Sequence, residues 1–375
     1  MKSKSLLGQV ALLTLVTALF VSPYLYIHGT NIVTHTYAFG SRQFWLALSP
    51  YADPKGAGDW FKYSPFFAWA YSPFAAMKNT HQAVSWGIFN MFCFWWGISL
   101  WFPWKNLSSK GMWLAFLFCS MEADGSFRYQ QMNAALVGLS LVGLYWFKEE
   151  KWTLSGFVLA VVTNVKILPA LFLLGLLYPL RKKYVWGIGL GVLVCLVVPI
   201  WVWGWKLTWL YHQDWYGLLR RDTQTDGILD VATVLKKLGL SHSKMWVLYP
   251  LAAFSGILFL GQRVVQKPFS WELWISLGLL TLLLVNPRTE SPTFVLAAPT
   301  YLFLLQVILG KSGPEKITSL VFWSAGVFLI TFCMNDLWPK VIWNPGSWLH
   351  FNKTLGVFIL WLETALLILI PQRNA

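Results

Sequence analysis

One lysine stands in the middle of an otherwise apolar stretch. Residues 152–180 read WTLSGFVLAVVTNVKILPALFLLGLLYPL, and Lys166 is the single charged residue among these 29. A charged side chain at mid-membrane depth costs about 3 kcal/mol or more on insertion scales. Pro169 follows three residues later, and a proline breaks a helix interior. The pattern therefore predicts a broken helix that presents an ammonium group to an aqueous cavity rather than to lipid.

Two other stretches place polar side chains at the ends of apolar runs. Residues 128–137, RYQQMNAALV, open a span with two glutamines and an asparagine. Residues 61–77, FKYSPFFAWAYSPFAAM, repeat Tyr-Ser-Pro at an interval of eight residues. Proline is tolerated in the first turn of a helix. The repeat therefore predicts short helices at a membrane interface, and by itself it is equally compatible with a simple interfacial anchor.

Composition indicates the elements that must position these residues. Hydrophobic residues make up 57% of the 375 and charged residues 12%, whereas a soluble domain carries roughly 25% charge. The mean hydropathy is +0.54, and the 25 Trp, 14 Tyr and 27 Phe suit two interfacial aromatic belts. We therefore expect an all-α polytopic membrane protein of about twelve crossings, some short or broken, that forms one domain over residues 1–375. With that class, the net charge of +14 is not a nucleic-acid signature, and part of it is available for anionic lipid.

The distribution of lysine and arginine predicts the orientation. Short loops that are rich in these residues face the cytoplasm. All the short loops on the side of the N-terminus are basic if residues 153–180 form a hairpin of two half-length helices, because a single crossing would place Arg181, Lys182 and Lys183 on the other side. We expect both termini in the cytoplasm, a location in the cytoplasmic (plasma) membrane, and the long loops 28–80, 206–243 and 336–353 outside. Lys166 would then lie at the outward tip of the hairpin.

The order of the polar phrases resembles glycosyltransferase family 87, a group of polyprenyl-phosphate-sugar-dependent membrane enzymes of the GT-C class that includes several mannosyltransferases. The Tyr-Pro-Pro-like phrase of that family is matched by Tyr63-Ser64-Pro65. Its Gly-Gln-x-Asn phrase is matched by residues 130–133, with Gln130 in place of the glycine. Residues 156–169 match its Lys-x-x-Pro stretch, and Ser291-Pro292 match a later Ser-Pro segment. The resemblance covers about residues 25–310.

The resemblance implies a GT-C-like helix bundle with interfacial helices on its outer face. It also implies transfer of a hexose, mannose-like, from a polyprenyl phosphate to an acceptor hydroxyl on the extracytoplasmic side, as in a cell-envelope mannosyltransferase. The acceptor would be a glycan, a glycolipid or a protein, and membrane lipid and the lipid-linked sugar are the expected partners, without nucleic acid. The candidate substrate-binding residues are Lys166 for the phosphate, with Gln131, Asn133, Arg128, Arg288 and Tyr63. For Lys166 the alternative is a lysine that extends to the interface; for Gln131 and Asn133 it is a helix cap; for Arg288 it is an ion pair with Glu290.

The expected catalytic carboxylate is missing from its usual position. The family places an aspartate early in the first outer loop, where this chain reads GTNIVTHTYAFGSRQF with Asn31 near that place. An amide cannot accept the acceptor's proton. Asp59, four residues before Tyr63, is our first candidate for the catalytic base, Asp53 is the second, and His35 is the remaining proton acceptor. The alternative for Asp59 is a surface ion pair with Lys62.

Other functions compete with this interpretation. Residues 222–238 repeat aspartate every four residues beside an apolar stripe, which indicates an amphipathic outer helix rather than a metal site. No nucleotide-phosphate loop is present, so we expect no cofactor and no metal.

A transporter or flippase of a lipid-linked sugar would also need a basic cavity at membrane depth, but it should carry paired broken helices. A catalytically inactive relative that binds lipid-linked sugar is the third possibility, because of Asn31.

Overall fold

The computed structural model describes residues 3–54, 59–104, 109–167, 169–177, 180–221, 231, 245–265, 269–286, 289–332 and 351–369. These residues form helices, turns and loops, and no strand occurs among them. The predicted all-α fold class is therefore confirmed. Asp222, Asp226, Asp230 and Arg288 lie outside the described residues, as does the rest of the predicted amphipathic outer helix apart from Val231.

The helices follow one another along the chain as α1 Ser3–His28, α2 Ile32–Trp45, α3 Pro65–Ala70, α4 Ser72–Ala75, α5 Asn79–Trp101, α6 Lys110–Arg128, α7 Asn133–Lys148, α8 Trp152–Val165, α9 Ala170–Gly175, α10 Lys182–Arg221, α11 Met245–Val265, α12 Trp271–Val285, a 3-10 helix Ser291–Leu296, α13 Ala298–Leu309, α14 Gly313–Thr331 and α15 Asn352–Leu369.

Several of these helices have the length and composition of membrane spans. A straight span needs about 20 apolar residues, and five helical segments of the described chain meet that requirement: Ser5–His28, Asn79–Trp101, Lys182–Arg220, Ser291–Leu309 and Asn352–Leu369. Shorter apolar helices occupy Trp152–Val165, Leu251–Gly261 and Trp271–Val285. The chain is thus a helical membrane protein.

The chain divides into two compact units. Unit 1 comprises residues 1–106 and 126–224, and unit 2 comprises residues 107–125 and 225–375. Whether residues 1–375 act as one functional domain stays a prediction.

The long helices of unit 1 share two common ends. Helix α1 runs antiparallel to α5, because Thr17 accepts a hydrogen bond from Trp95 and Gln9 donates one to the carbonyl of Phe102. Helix α7 runs parallel to α5, since Asn90 accepts from the Ala135 amide and Trp101 donates to the carbonyl of Leu141. At one end of these helices, α1 and α8 end and α5 and α7 begin; we call this the loop end. The opposite end carries Lys148, and we call it the basic end.

Glycines allow α5 and α7 to approach each other closely. A Cβ atom at Gly138 would overlap the backbone of Cys93, and one at Gly97 would overlap the carbonyl of Gly138. Backbone-to-backbone packing of this kind is common between membrane helices, where small residues permit close approach. The pair of glycines fixes the depth at which the residues that open α7 lie.

The predicted hairpin over residues 153–180 is confirmed. Helix α8 ends at Val165, and Lys166 adopts an extended conformation (φ −149°, ψ 130°) before the short helix α9. Helix α10 then starts beside the beginning of α8, where Gly156 touches the backbone of Tyr184 and the Arg181 guanidinium lies 5.0 Å from the centre of the Trp152 ring. The chain has therefore returned to the basic end, and Lys166 lies at the loop end.

The repeated Tyr-Ser-Pro phrase forms two short helices, as predicted. Ser64 caps α3 by accepting a hydrogen bond from the Phe67 amide, and Pro65 occupies the first turn. Tyr37 of α2 makes edge-on ring contacts with Tyr63, Phe67, Tyr71 and Trp86 at centroid distances of 5.0, 5.0, 5.2 and 5.9 Å. Edge-to-face pairs of this kind stabilise by about 0.5–1.5 kcal/mol each beyond burial. This aromatic cluster holds α3 against α2 at the loop end.

Unit 2 packs around a buried ion pair. The Lys353 ammonium lies 2.8 Å from a carboxylate oxygen of Glu122, both side chains are 2% exposed, and Lys353 also lies 5.2 Å from the centre of the Phe294 ring. Removing one partner of a buried pair typically costs about 3–5 kcal/mol. The pair therefore fastens the start of α15 to α6.

Candidate active site

Lys166 and Asn133 come together because α7 and α8 are adjacent and nearly equal in length. The two helices are joined by the turn at residues 149–151, so the end of α8 returns to the start of α7. The Lys166 ammonium donates to Asn133 Oδ1 at 2.9 Å, and Asn133 Nδ2 donates to Gln131 Oε1 at 2.6 Å. We call Lys166, Asn133 and Gln131 the lysine–amide cluster.

The contacts of the lysine–amide cluster do not match the two alternatives, a helix cap for the amides and a lysine that extends to the interface. Neither Gln131 nor Asn133 caps α7, since Met132 holds the capping position without a side-chain bond. Lys166 is half-buried and directed at a buried amide instead of extending alone to an interface. The cluster offers one positive charge and two amide groups at the loop end, a combination that can bind a phosphate and sugar hydroxyls.

Gln130 holds the turn before Gln131 in a left-handed conformation, with φ at +55°. Its side chain donates to the carbonyl of Gly29 and accepts from the hydroxyl of Thr34, both at 2.8 Å, while its carbonyl accepts from the Trp86 indole at 2.8 Å. A non-glycine residue in this conformation costs about 1–3 kcal/mol and persists only where its surroundings fix it. The resemblance supplied a signal for this conformation, because glycine is the usual residue at this position.

Tyr63 reaches the same turn through Tyr37. The two hydroxyls are 2.8 Å apart, and the Tyr37 hydroxyl accepts from the Met132 amide at 3.4 Å. Burial, reinforced by the neighbouring Tyr63, holds the pKa of Tyr37 well above its usual range. Tyr37 therefore stays neutral and contributes hydrogen bonds without charge. Nothing in its spacing singles it out from the other aromatic residues of residues 28–80.

Asn31 is a structural amide. Its side-chain oxygen accepts from the amides of Val33 and Thr34 and so caps α2. Its Nδ2 donates to the carbonyl of Tyr129 at 2.8 Å. A carboxylate cannot donate this hydrogen bond and would place a charge against the carbonyl oxygen. The residue near the expected position of the base therefore connects α2 to the turn before α7.

Asp59 forms the ion pair with Lys62 that the sequence offered as an alternative. Its Oδ2 lies 3.1 Å from the Lys62 ammonium, and its Oδ1 accepts from the Trp60 amide at 2.7 Å. The Asp59 amide donates to the Thr36 hydroxyl of α2, so its backbone is fixed at the loop end. Asp53 is exposed, and so is His35, whose ring lies 3.2 Å from the Thr30 hydroxyl.

Arg128 is the candidate arginine that the structure describes. Arg128 ends α6, and its guanidinium lies 5.0 Å from the centre of the Tyr24 ring. It is half-buried at the loop end. Arg288 lies outside the described residues.

Asp214 is a carboxylate whose position the sequence did not reveal. Its Oδ2 accepts from the Ser49 hydroxyl at 3.2 Å, and the next residue, Trp215, donates to the carbonyl of Lys62 at 3.1 Å. Tyr51 donates to the carbonyl of Tyr63 at 2.8 Å, and burial, followed by the charge of Asp214, raises its pKa well above the usual range. The second half of α10 thus lies against the segment that carries Asp59 and Tyr63.

No group of three or more His, Cys, Asp or Glu side chains comes together among the described residues in a way that could hold a metal ion.

The sequence was compared with the models of known protein families. Residues 60–287 match the sequence model of glycosyltransferase family 87. The match covers Tyr63, Gln131, Asn133 and Lys166, and begins directly after Asp59. Neither a curated protein nor a solved structure matches the chain.

Proposed function

Because the chain belongs to glycosyltransferase family 87, we propose that it transfers a mannose-like hexose from a polyprenyl-phosphate donor to an acceptor hydroxyl on the extracytoplasmic side of the membrane. The lysine–amide cluster carries this proposal. It supplies a cation and two amides at one end of a helix bundle, which is what a membrane-bound phosphosugar requires.

Lys166 would bind the donor phosphate and stabilise it as the leaving group. An ammonium is a compact charge suited to phosphate, and a fixed cation is most effective where negative charge develops. Gln131, Asn133 and the hydroxyl of Tyr63 would hydrogen-bond the phosphate or the sugar. Arg128, and Arg288 outside the described residues, would add positive charge.

Apolar surface beside Lys166 suits the polyprenyl chain. The segment that leads from the lysine back towards the basic end leaves Ile167, Leu174 and Leu180 exposed by 56%, 61% and 69%. An isoprenoid chain placed on this surface would lie against apolar side chains while its phosphate reached the ammonium.

Asp59 would remove the proton from the acceptor hydroxyl, with Asp53 as the second candidate. The acceptor oxygen would then bond to C1 of the sugar while the bond from C1 to the phosphate oxygen breaks. The polyprenyl phosphate leaves with the electron pair, and the Asp59 carboxyl passes its proton to water. We propose that no metal or other cofactor takes part, so that a chelator should leave the rate unchanged.

The distribution of charge supports the proposed orientation. Lys148, Arg181 and the residues around them occupy the basic end, and the lysine–amide cluster occupies the loop end. By the positive-inside rule we propose that the basic end and both termini face the cytoplasm of the plasma membrane, within a GT-C-like bundle of about twelve crossings. The acceptor would be a glycan, a glycolipid or a protein of the cell envelope.

The test is direct transfer by the purified protein. It is incubated with radiolabelled polyprenyl-phosphate hexoses and a panel of acceptors, beside Lys166→Met protein prepared identically. We expect labelled product from the wild type and at least ~30-fold less from the variant at limiting donor, which is the affinity loss expected for removal of a half-buried charged partner. Equal product from both proteins would refute the assigned role of Lys166.

A second function is favoured by Asn31 and the Asp59–Lys62 pair: an inactive relative that binds lipid-linked sugar. Asn31 has a structural role, and both oxygens of Asp59 are engaged. Saturable donor binding without transfer to any acceptor, and without hydrolysis of the donor, would support this function over the enzyme.

A further inference from the structure

The ion pair between Asp59 and Lys62 restrains the candidate base. One carboxylate oxygen accepts from the Trp60 amide at 2.7 Å, and the other faces the Lys62 ammonium at 3.1 Å. A carboxylate oxygen that already accepts from an amide or faces an ammonium has fewer lone pairs left to accept from an acceptor hydroxyl. The proposed base is therefore restrained before substrate arrives.

The ion pair between Asp59 and Lys62 contributes little free energy, so Lys62 can exchange it for a contact with another anion. The side chains of Lys62 and Asp59 are 21% and 45% exposed, and a partly exposed ion pair contributes only about 0.2–1 kcal/mol. The backbone on both sides is held, by Trp215 at the carbonyl of Lys62 and by Thr36 at the amide of Asp59. The ammonium can therefore change partner without movement of the segment.

Lys62 is also placed beside groups assigned to the donor. It directly precedes Tyr63, whose hydroxyl is linked through Tyr37 to the Met132 amide of the turn that opens α7. Helix α3, which follows this segment, packs against α8 and α10. The segment that carries Lys62 thus adjoins the helix that ends at Lys166.

We propose that Lys62 is a second phosphate-binding cation, which exchanges Asp59 for the phosphate of the polyprenyl donor and thereby frees the carboxylate. This inference rests on the proposed function and adds an order to it: donor binds first, and the base is released only then. The exchange makes donor binding and the Asp59–Lys62 pair mutually exclusive, so weakening either must favour the other.

Donor binding to four proteins tests this exchange. Polyprenyl phosphate is titrated into wild type, Lys62→Met, Asp59→Asn and the double variant, each in phosphatidylcholine nanodiscs. Lys62→Met should weaken binding about 10-fold, as for loss of one charge-assisted contact. Asp59→Asn should tighten binding about 2–5-fold, because the competing pair is gone. In the double variant the tightening should disappear.

Matched controls separate exchange from general electrostatics. Lys78→Met removes an exposed lysine just before α5, and Glu150→Gln removes an exposed carboxylate at the basic end; both should leave binding unchanged. If Asp59→Asn tightens binding equally in the Lys62→Met background, the effect is a through-space charge effect and the exchange is refuted. Unchanged affinity in Lys62→Met refutes it as well.

Competition identifies the source of the phosphate. Polyprenyl phosphate should displace a fluorescent polyprenyl-phosphate probe, whereas equal displacement by inorganic phosphate or by phosphatidylglycerol would overturn the assignment to the donor. These binding readouts do not require turnover. Absence of transfer with the predicted binding pattern would count against the proposed enzyme alone, and transfer by wild type with unchanged binding in Lys62→Met would count against the exchange alone.

Discussion

Replacement of Lys166 by methionine should abolish most of the donor affinity and leave the fold intact. Methionine keeps the length of the side chain and removes its charge. The variant loses the contact of the ammonium with the donor phosphate and the 2.9 Å hydrogen bond to Asn133 Oδ1.

The magnitude follows from the surroundings of the two groups. Removing a charged partner from a buried pair costs about 2–5 kcal/mol in binding. Lys166 is only half-buried, so the lower value of about 2 kcal/mol applies, which is about 30-fold in Kd. Asn133 is fully buried, and leaving its oxygen without the lysine costs about 1–3 kcal/mol of folding stability.

The assay compares Kd for polyprenyl phosphate with the midpoint of thermal unfolding in the same detergent. Lys183→Met is the matched control, because it removes an exposed lysine at the basic end of unit 1; its Kd should equal that of the wild type. A folded Lys166→Met protein that binds the donor with unchanged Kd, whatever its unfolding midpoint, would refute the assignment.

Three further predictions follow from the same geometry. Asp59→Asn removes the basic oxygen and should lower turnover by about 100-fold or more while donor binding persists; full turnover in this variant, with loss in Asp53→Asn, would transfer the role to Asp53. A cysteine introduced at the exposed position of Ala52 should react with an impermeant thiol reagent in intact cells, and one at Lys183 only after lysis; the reverse pattern would invert the orientation. Gly138→Ala should lower the midpoint of thermal unfolding by forcing α5 and α7 apart, at a cost of about 1–3 kcal/mol. Gly189→Ala is the control and should leave the midpoint unchanged, because a Cβ there meets open space. Equal midpoints in the two variants would show that the close approach is not required.

Short sequence patterns were sufficient to predict the helix ends and short helices around Lys166 and Tyr63. A charge followed by a proline predicted the break after α8, and two Tyr-Ser-Pro phrases predicted α3 and α4. The ion pair of Asp59 with Lys62 was also foreseeable, because the residues are three apart. Each of these features depends on neighbours in sequence, so a pattern over a few residues contains the information.

Features that depend on distant partners could not be predicted. The family's glycine pointed to a left-handed conformation at residue 130, but not to the partners that stabilise it in Gln130. Those partners, Gly29, Thr34 and Trp86, lie between 44 and 101 residues away. The position of Asp214 depends on Ser49, 165 residues earlier. The number of membrane crossings could not be predicted from the sequence either. Helices such as Trp152–Val165 are shorter than a straight span, so their hydropathy does not show whether they cross the membrane.

The two departures from the family pattern lie in one contact. Asn31 stands near the expected carboxylate and Gln130 stands in place of the expected glycine, and both side chains join the start of α2 to the turn before α7: Asn31 donates to Tyr129, and Gln130 bonds to Gly29 and Thr34. The hydrogen bonds of Gln130 offset the strain of its backbone, and the amide of Asn31 adds a third link. With an amide at the start of α2, the proposed transfer would take its proton acceptor from another part of the loop end. The amide of Asp59 is bonded to Thr36, one turn along α2. We therefore propose Asp59 as the replacement base, and its pairing with Lys62 would keep it engaged until the donor is bound.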